Sequence, residues 1–132
     1  MSDKRTRRML DNLALIAADA PKVANYRVSA AITYKNRLVS YGISSYKTSP
    51  FQKRFAADEY KIHLHAEIAA IKNALRTLHV SQLKNVTLYV CRVKSLGEWG
   101  NSKPCPGCQR AIAEFGIKNV IYTSADSDYT KL

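Results

Sequence analysis

Four residues in this chain have the types and spacing for metal chemistry. Cys105 and Cys108 form a C-x-x-C pair inside "PCPGC", His65 and Glu67 stand in "HAE", and residues 68 to 103 separate the two groups. C-x-x-C is the spacing with which two thiolates occupy two corners of a zinc tetrahedron. The third cysteine, Cys91, lies in an apolar run and reads as core. The basic start "MSDKRTRRML" lacks the pattern of a secretory leader, so a cytoplasmic setting is expected, in which metal binding or catalysis explains the close pair better than a disulfide framework does.

The prolines say how the sulfurs are presented. A residue before proline is pushed towards extended backbone, which takes Lys103 and Cys105 out of helix. Pro106 suits the first position of a helix, where its missing N–H would have no partner. Cys105 is therefore expected just ahead of a helix and Cys108 in its first turn, where the positive end of the helix dipole favours thiolates. His65 stands at the start of another expected helix. With His65 as third ligand, a catalytic zinc keeps one position for water, and Glu67 can lean over the metal without ligating it. His63 as a fourth ligand would instead close the site into a structural one. Taken alone, P-C-x-x-C also fits a zinc ribbon or a redox pair, and H-x-E alone is a weak signal. His79 reads as a helix-end residue.

The elements that must position these groups follow from hydrophobic period. Residues 4 to 19 read as a helix with Met9, Leu13, Ile16 and Ala17 on one face, Ser2 or Asp3 as its cap, and Pro21 as its stop. "YRVSAAITYK" alternates, with Val28, Ala30 and Ile32 on one side, and "RLVSYGI" reads as its hairpin partner across a turn at Lys35, Asn36 and Arg37. Residues 44 to 61 read as a long loop. "HAEIAAIKNALRTL" is a helix with Ile68, Ile71, Leu75 and Leu78 on one face, "NVTLYVCRV" a buried strand, residues 94 to 103 an inserted loop, "PGCQRAIAEF" a helix ended by Gly116, and "KNVIYT" a last strand. Residues 124 to 132 form a short polar tail. The alternation implies right-handed crossovers and a three-layer α/β/α sandwich, with a mixed sheet whose last strands are parallel. The length fits a single domain over residues 1–132.

Charge points to the partner. Lys and Arg number 21 against 10 Asp and Glu, a net charge of +11, more than solubility requires of so small a domain and suited to a phosphate-bearing partner. The run from Tyr46 to Lys61 interleaves Tyr46, Phe51, Phe55 and Tyr60 with Lys47, Lys53, Arg54 and Lys61, a mixture that suits a nucleotide or a single strand; aromatics packed inward beneath solvated charges are the plainer reading. Lys4, Arg5, Arg7 and Arg8 read as a solvated helix end. No apolar run approaches the about 18 residues that span a bilayer, so no membrane partner and a cytoplasmic location are expected.

The two signatures together, H-x-E and then P-C-x-x-C, are the mark of the zinc-dependent deaminases. From about Val28 to Tyr122 the chain resembles the cytidine and deoxycytidylate deaminase superfamily, and "TLYV" with "PCPGCQRAIAEFGIKNVIY" is most similar to its deoxycytidylate deaminase and tRNA adenosine deaminase branches. The resemblance implies a cytidine deaminase-like fold, Zn2+ held by His65, Cys105 and Cys108, and Glu67 as the catalytic proton shuttle. The implied reaction replaces an exocyclic amine by oxygen, turning cytosine to uracil or adenine to hypoxanthine. It also implies a homo-oligomer. Where many members carry G-x-N for the substrate sugar, this chain has Gly42-Ile43-Ser44, and residues 94 to 103 lengthen the approach to the cysteines. Ser44, Ala66, Pro104 and Trp99 are the candidate substrate contacts. Trp99 fits equally a base-stacking role, a loop cluster or an interface between copies.

Three functions follow. The first is hydrolytic deamination of a small cytosine nucleotide of the dCMP or cytidine type. The second is deamination of cytosine or adenine within tRNA or single-stranded nucleic acid. The third is a non-catalytic nucleic-acid-binding module with a structural zinc.

Overall fold

The structure is a computed structural model that describes residues 4–20, 27–48 and 63–132, with residues 46–48 and 63–64 described in their backbone only. Its centre is the strand expected at "RVSAAITY". This strand, β1 (Arg27–Tyr34), pairs antiparallel with β2 (Arg37–Ile43) on one side and with β5 (Val86–Val93) on the other. It is therefore paired on both edges, and helices cover both its faces. Ala30 and Ile32 point to one side as expected, and Ser29, Ala31 and Thr33 on the opposite face are buried too. The hairpin turn is tighter than the three residues expected. Lys35 and Asn36 carry φ of 51° and 64°, and Arg37 already pairs with Tyr34. Positive φ at both central residues is the signature of the two-residue turn whose twist matches the strands.

Part of the stretch expected as a loop is strand: β3 (Ser45–Thr48) lies within residues 44 to 61 and pairs antiparallel with β4 (His63–Leu64), just beyond them, as a small second sheet. The Tyr46–Lys61 side chains, the cap at Ser2 or Asp3 and Pro21 lie outside the described residues.

The main sheet runs β2-β1-β5-β7-β8, with β6 on β5. β7 (Asn119–Ala125) is parallel to β5, as expected of those two strands. The polar tail then turns through Ser127, at φ 60°, and returns as β8 (Asp128–Lys131), an antiparallel edge strand. β6 (Trp99–Gly100) is the end of a hairpin inside the inserted loop, closed by Lys94 N–H to Glu98 O at 2.9 Å and by Gly97 at φ 93°.

Helices cover both faces. On one lies α1 (Lys4–Ala18), which buries Thr6, Leu10, Leu13 and Ala17 against Ala31, Tyr89, Cys91, Val93 and Ile121. Its stripe is rotated from the expected one. Leu10, Leu13 and Ala17 share the centre of the face, while Met9 and Ile16 are half-buried on its shoulders. On the other face lie α2 (Ala66–Ala74) and α3 (Pro106–Glu114), packed over Ala30, Ile32, Leu88, Val90 and Val120. The α2 helix stops four residues before Leu78. Leu75 and Leu78 still pack on the core, and His79 caps a separate 3-10 turn, Val80–Asn85, by accepting the Ser81 N–H. Gly116, at φ 74°, ends α3 as expected. No described helix is long and apolar enough to cross a membrane.

One glycine sets how closely α2 can approach the sheet. A Cβ at Gly42 would lie 2.6 Å from Ala66 O, Ala69 Cβ and Ala70 N. Beside it Ser40 Oγ donates to Ala70 O at 2.7 Å and Asn73 donates to Tyr41 O at 3.0 Å, so α2 sits on the backbone of β2. Gly42→Ala should push that helix away and destabilise the protein by about 1–3 kcal/mol, read as a lower denaturation midpoint at unchanged slope in urea unfolding.

Candidate metal centre

Both donor segments are helix starts, and each has the backbone its sequence demands. Cys105 is the N-cap of α3 with φ −67° and ψ 166°, Pro106 follows at the first helical position, and the Cys108 N–H points at Cys105 Sγ at 3.5 Å. His65 is the N-cap of α2 with φ −83° and ψ 151°, and its ring makes no capping bond. It turns towards the sulfurs instead. His65 Nδ1 lies 3.4 Å from Cys108 Sγ and 3.6 Å from Cys105 Sγ.

Those separations test the fit of a metal. Bonds of about 2.0–2.1 Å to nitrogen and about 2.3 Å to sulfur, at a tetrahedral angle, put the donors about 3.6 Å apart. Both nitrogen–sulfur separations have that spacing, all three donor atoms lie within 4.8 Å of one another, and the chemistry, one imidazole and two thiols, is a zinc donor set. Among the described residues this is the group of His, Cys, Asp or Glu placed to hold an ion. The side chain of His63, the alternative fourth ligand, lies outside the described residues.

Glu67 is 5% exposed and sits within hydrogen-bond reach of the Cys108 thiol. Burial pushes its carboxyl above the ordinary range, while the charge on His65 pulls the other way. The sulfurs are polarised against each other. Cys105 is pulled down to about 3, first by the hydrogen bond from Cys108, with His65 and the Cys108 N–H adding to it against a desolvation penalty. Cys108 is pushed up by the same bond and by burial. Cys91 is fully buried on the α1 face, and desolvation raises it to about 12.

The remaining sequence candidates fall in different places. Ala66, the first residue of α2, is buried with its side chain in the core, and Pro104 is buried with its carbonyl accepting from the Gln109 amide at 2.8 Å. Ser44 is buried, and its hydroxyl accepts the Val28 N–H at 3.3 Å. Trp99 is 7% exposed, in one apolar cluster with Leu10, Leu13 and Cys91 on the α1 side of the sheet, and it pairs with Val93 on β5.

Sequence reasoning missed what holds the cysteine loop. Ser102 is buried between β5 and β7 and bonded to both, through Val90 O at 2.9 Å and Thr123 N at 2.8 Å. A lone serine in "GNSKPC" gives no periodic signal; the paired Thr123 is 21 residues away.

Comparison with known proteins agrees with this geometry. The family model described as the cytidine and deoxycytidylate deaminase zinc-binding region matches residues 3–124. The deoxycytidylate deaminase of Enterobacteria phage T2 is 34% identical over 91 residues, 67% of this chain and 42% of that protein. The chain thus spans less than half the length of that relative. Two solved structures share the fold at 18% identity. The dCMP deaminase of cyanophage S-TIM5 has a TM-score of 0.63 over 93% of this chain and 86% of its own. The cytidine deaminase of Burkholderia pseudomallei has one of 0.65 over 95% and 90%.

The thiolate is the reactive form of cysteine, so the three thiols should alkylate in a fixed order. After zinc is stripped by a chelator, iodoacetamide at pH 6 should modify the half-exposed Cys105 first and leave Cys91 intact, as read by peptide mass spectrometry. Restoring zinc should protect Cys105. Faster labelling of Cys91 would contradict the assigned burial and polarisation.

Proposed function

Because the chain belongs to the cytidine and deoxycytidylate deaminase zinc-binding family, we propose that it is a hydrolytic deaminase of a cytosine-bearing nucleotide of the dCMP type. The observation that carries this reading is a buried carboxyl group, Glu67, in contact with the ligand trio but not part of it. A site built only to hold zinc has no use for a desolvated acid beside it. The T2 relative, a deoxycytidylate deaminase, supports the choice of nucleotide, and a net charge of +11 raises the local concentration of phosphate-bearing substrates.

His65, Cys105 and Cys108 would hold the zinc, whose Lewis acidity makes water nucleophilic near neutral pH. Glu67 does the proton work. As a carboxylate it takes a proton from the attacking water and hands it to the ring nitrogen next to the reacting carbon. The water oxygen bonds to the carbon that carries the exocyclic amine. Glu67 then delivers the second proton to that amine, which leaves as ammonia, and the balance is cytosine plus water to uracil plus ammonia. Burial favours the protonated acid, which suits Glu67 to hold the proton in transit between water and base. Ser44, Ala66 and Pro104 are the proposed neighbours of the substrate.

Glu67→Gln keeps the volume and removes the proton shuttle. It should lower turnover by about 10²–10⁴-fold while zinc content by elemental analysis stays that of the wild type. The substrate is decided by offering cytidine, deoxycytidine, dCMP, dCTP, tRNA and single-stranded DNA in parallel, with and without chelator. Editing of a nucleic acid with dCMP left intact would reject the nucleotide reading. Turnover that survives in Glu67→Gln would reject the mechanism.

A further inference from the structure

The cysteine loop leaves the sheet where two parallel strands part. β5 and β7 pair through Val90 and Tyr122, and beyond that point β5 bonds to β6 instead, Arg92 facing Gly100 and Val93 facing Trp99. The parting strands give up ladder partners, and two buried hydroxyls take them. Ser102 Oγ donates to Val90 O at 2.9 Å and accepts the Thr123 N–H at 2.8 Å. Thr123 Oγ1 donates to Gly100 O at 2.7 Å and accepts the Arg92 N–H at 3.3 Å. The single Ser102 hydroxyl proton is shared between Val90 O and the Thr123 Oγ1 2.8 Å away, and the Ser102 N–H adds a bond to Thr123 O at 2.8 Å. One hydroxyl has one donor and two acceptor sites, so this pair knits β5, β6 and β7 together at a point three residues before Cys105.

The chain between has little slack. Lys103 is restricted by the proline that follows it, Pro104 has a fixed φ, and Cys105 is again followed by proline. The other bonds of the segment, Lys103 N–H to Asn101 Oδ1 at 3.0 Å and Gln109 to Pro104 O, shape the loop internally. Ser102 is what joins it to the sheet. Metal–ligand distances are fixed to about 0.2 Å, so a shift at Ser102 that this short segment passes on to Cys105 weakens the fit.

We propose that Ser102 and Thr123 are positioning residues of the metal site, holding the Cys105–Cys108 half against the His65 half. This rests on the metal reading of the trio and not on the choice of substrate.

The test measures zinc, not deamination. Holoprotein is mixed with a chromogenic chelator of known affinity, and the release rate and equilibrium partition are compared for wild type, Thr123→Val, Ser102→Ala and Thr123→Ser, with apoprotein unfolding followed by circular dichroism. Thr123→Val and Ser102→Ala should hold zinc about 10-fold more weakly, the low end of the range for groups bonded directly to metal ligands because these two act through the loop, and Thr123→Ser should stay within about threefold of wild type. If Thr123→Val does not fold, Ser102→Ala carries the test. Variants that unfold earlier as apoprotein yet hold zinc as tightly as wild type would overturn the inference, because the pair would then only stabilise the sheet. A wild-type protein that takes up no zinc would overturn the metal reading itself, whatever its catalytic activity.

Discussion

Three donor atoms from the starts of two separate helices must all come within one metal–ligand bond length, about 2.0–2.3 Å, of a common point. His65 Nδ1 reaches both sulfurs at 3.4 and 3.6 Å only because the N-termini of α2 and α3 face one another. Two positive helix ends converging on a cation would repel it. The arrangement works because anionic groups stand between: the Cys105 sulfur at the cap of α3, accepting the Cys108 N–H, and Glu67 in the first turn of α2. Each acidic group sits where a helix dipole favours its charged form, and their combined charge makes the meeting point attractive to a divalent ion.

The two halves are held by different physics. α2 is seated by contact, its backbone lying against Gly42 with Ser40 and Asn73 bonded across. The cysteine half is seated by hydrogen bonds at the mouth of two diverging strands. Between the helices, Ile68, Cys108 and Ala111 form a small apolar seam that excludes water from one side of the sulfurs. The same seam explains why Glu67 is desolvated and why Cys108 is buried while Cys105 remains half-exposed.

The donor set was legible because its signals are local. Proline before and after a cysteine, and a histidine heading an apolar helix, each dictate the backbone of their own few residues. The alternation of β1 and the parallel pair β5–β7 were readable for the same reason. What was not readable depends on distant partners. Trp99 has no local feature that says which face it takes; the answer comes from pairing with Val93 six residues earlier. The α1 stripe was displaced because Met9 and Leu10, adjacent and equally apolar, cannot both be central, and the sheet beneath chose Leu10. β8 was hidden because an exposed edge strand carries polar residues on both sides. The two-residue turn was hidden because Lys35 accepts a positive φ that its type rarely adopts.

The hairpin between β5 and β6 is rooted at one end and exposed at the other. Trp99 buries its base against α1 and Ser102 locks the strand beyond it, while Leu96 at the tip is 89% exposed and Gly97 provides the reversal. Such a finger is mechanically insulated: its length or composition can drift, or a foreign epitope can be spliced in, without strain reaching the sulfurs downstream. Lineages of this architecture can therefore experiment at that tip while leaving the chemistry beneath it untouched.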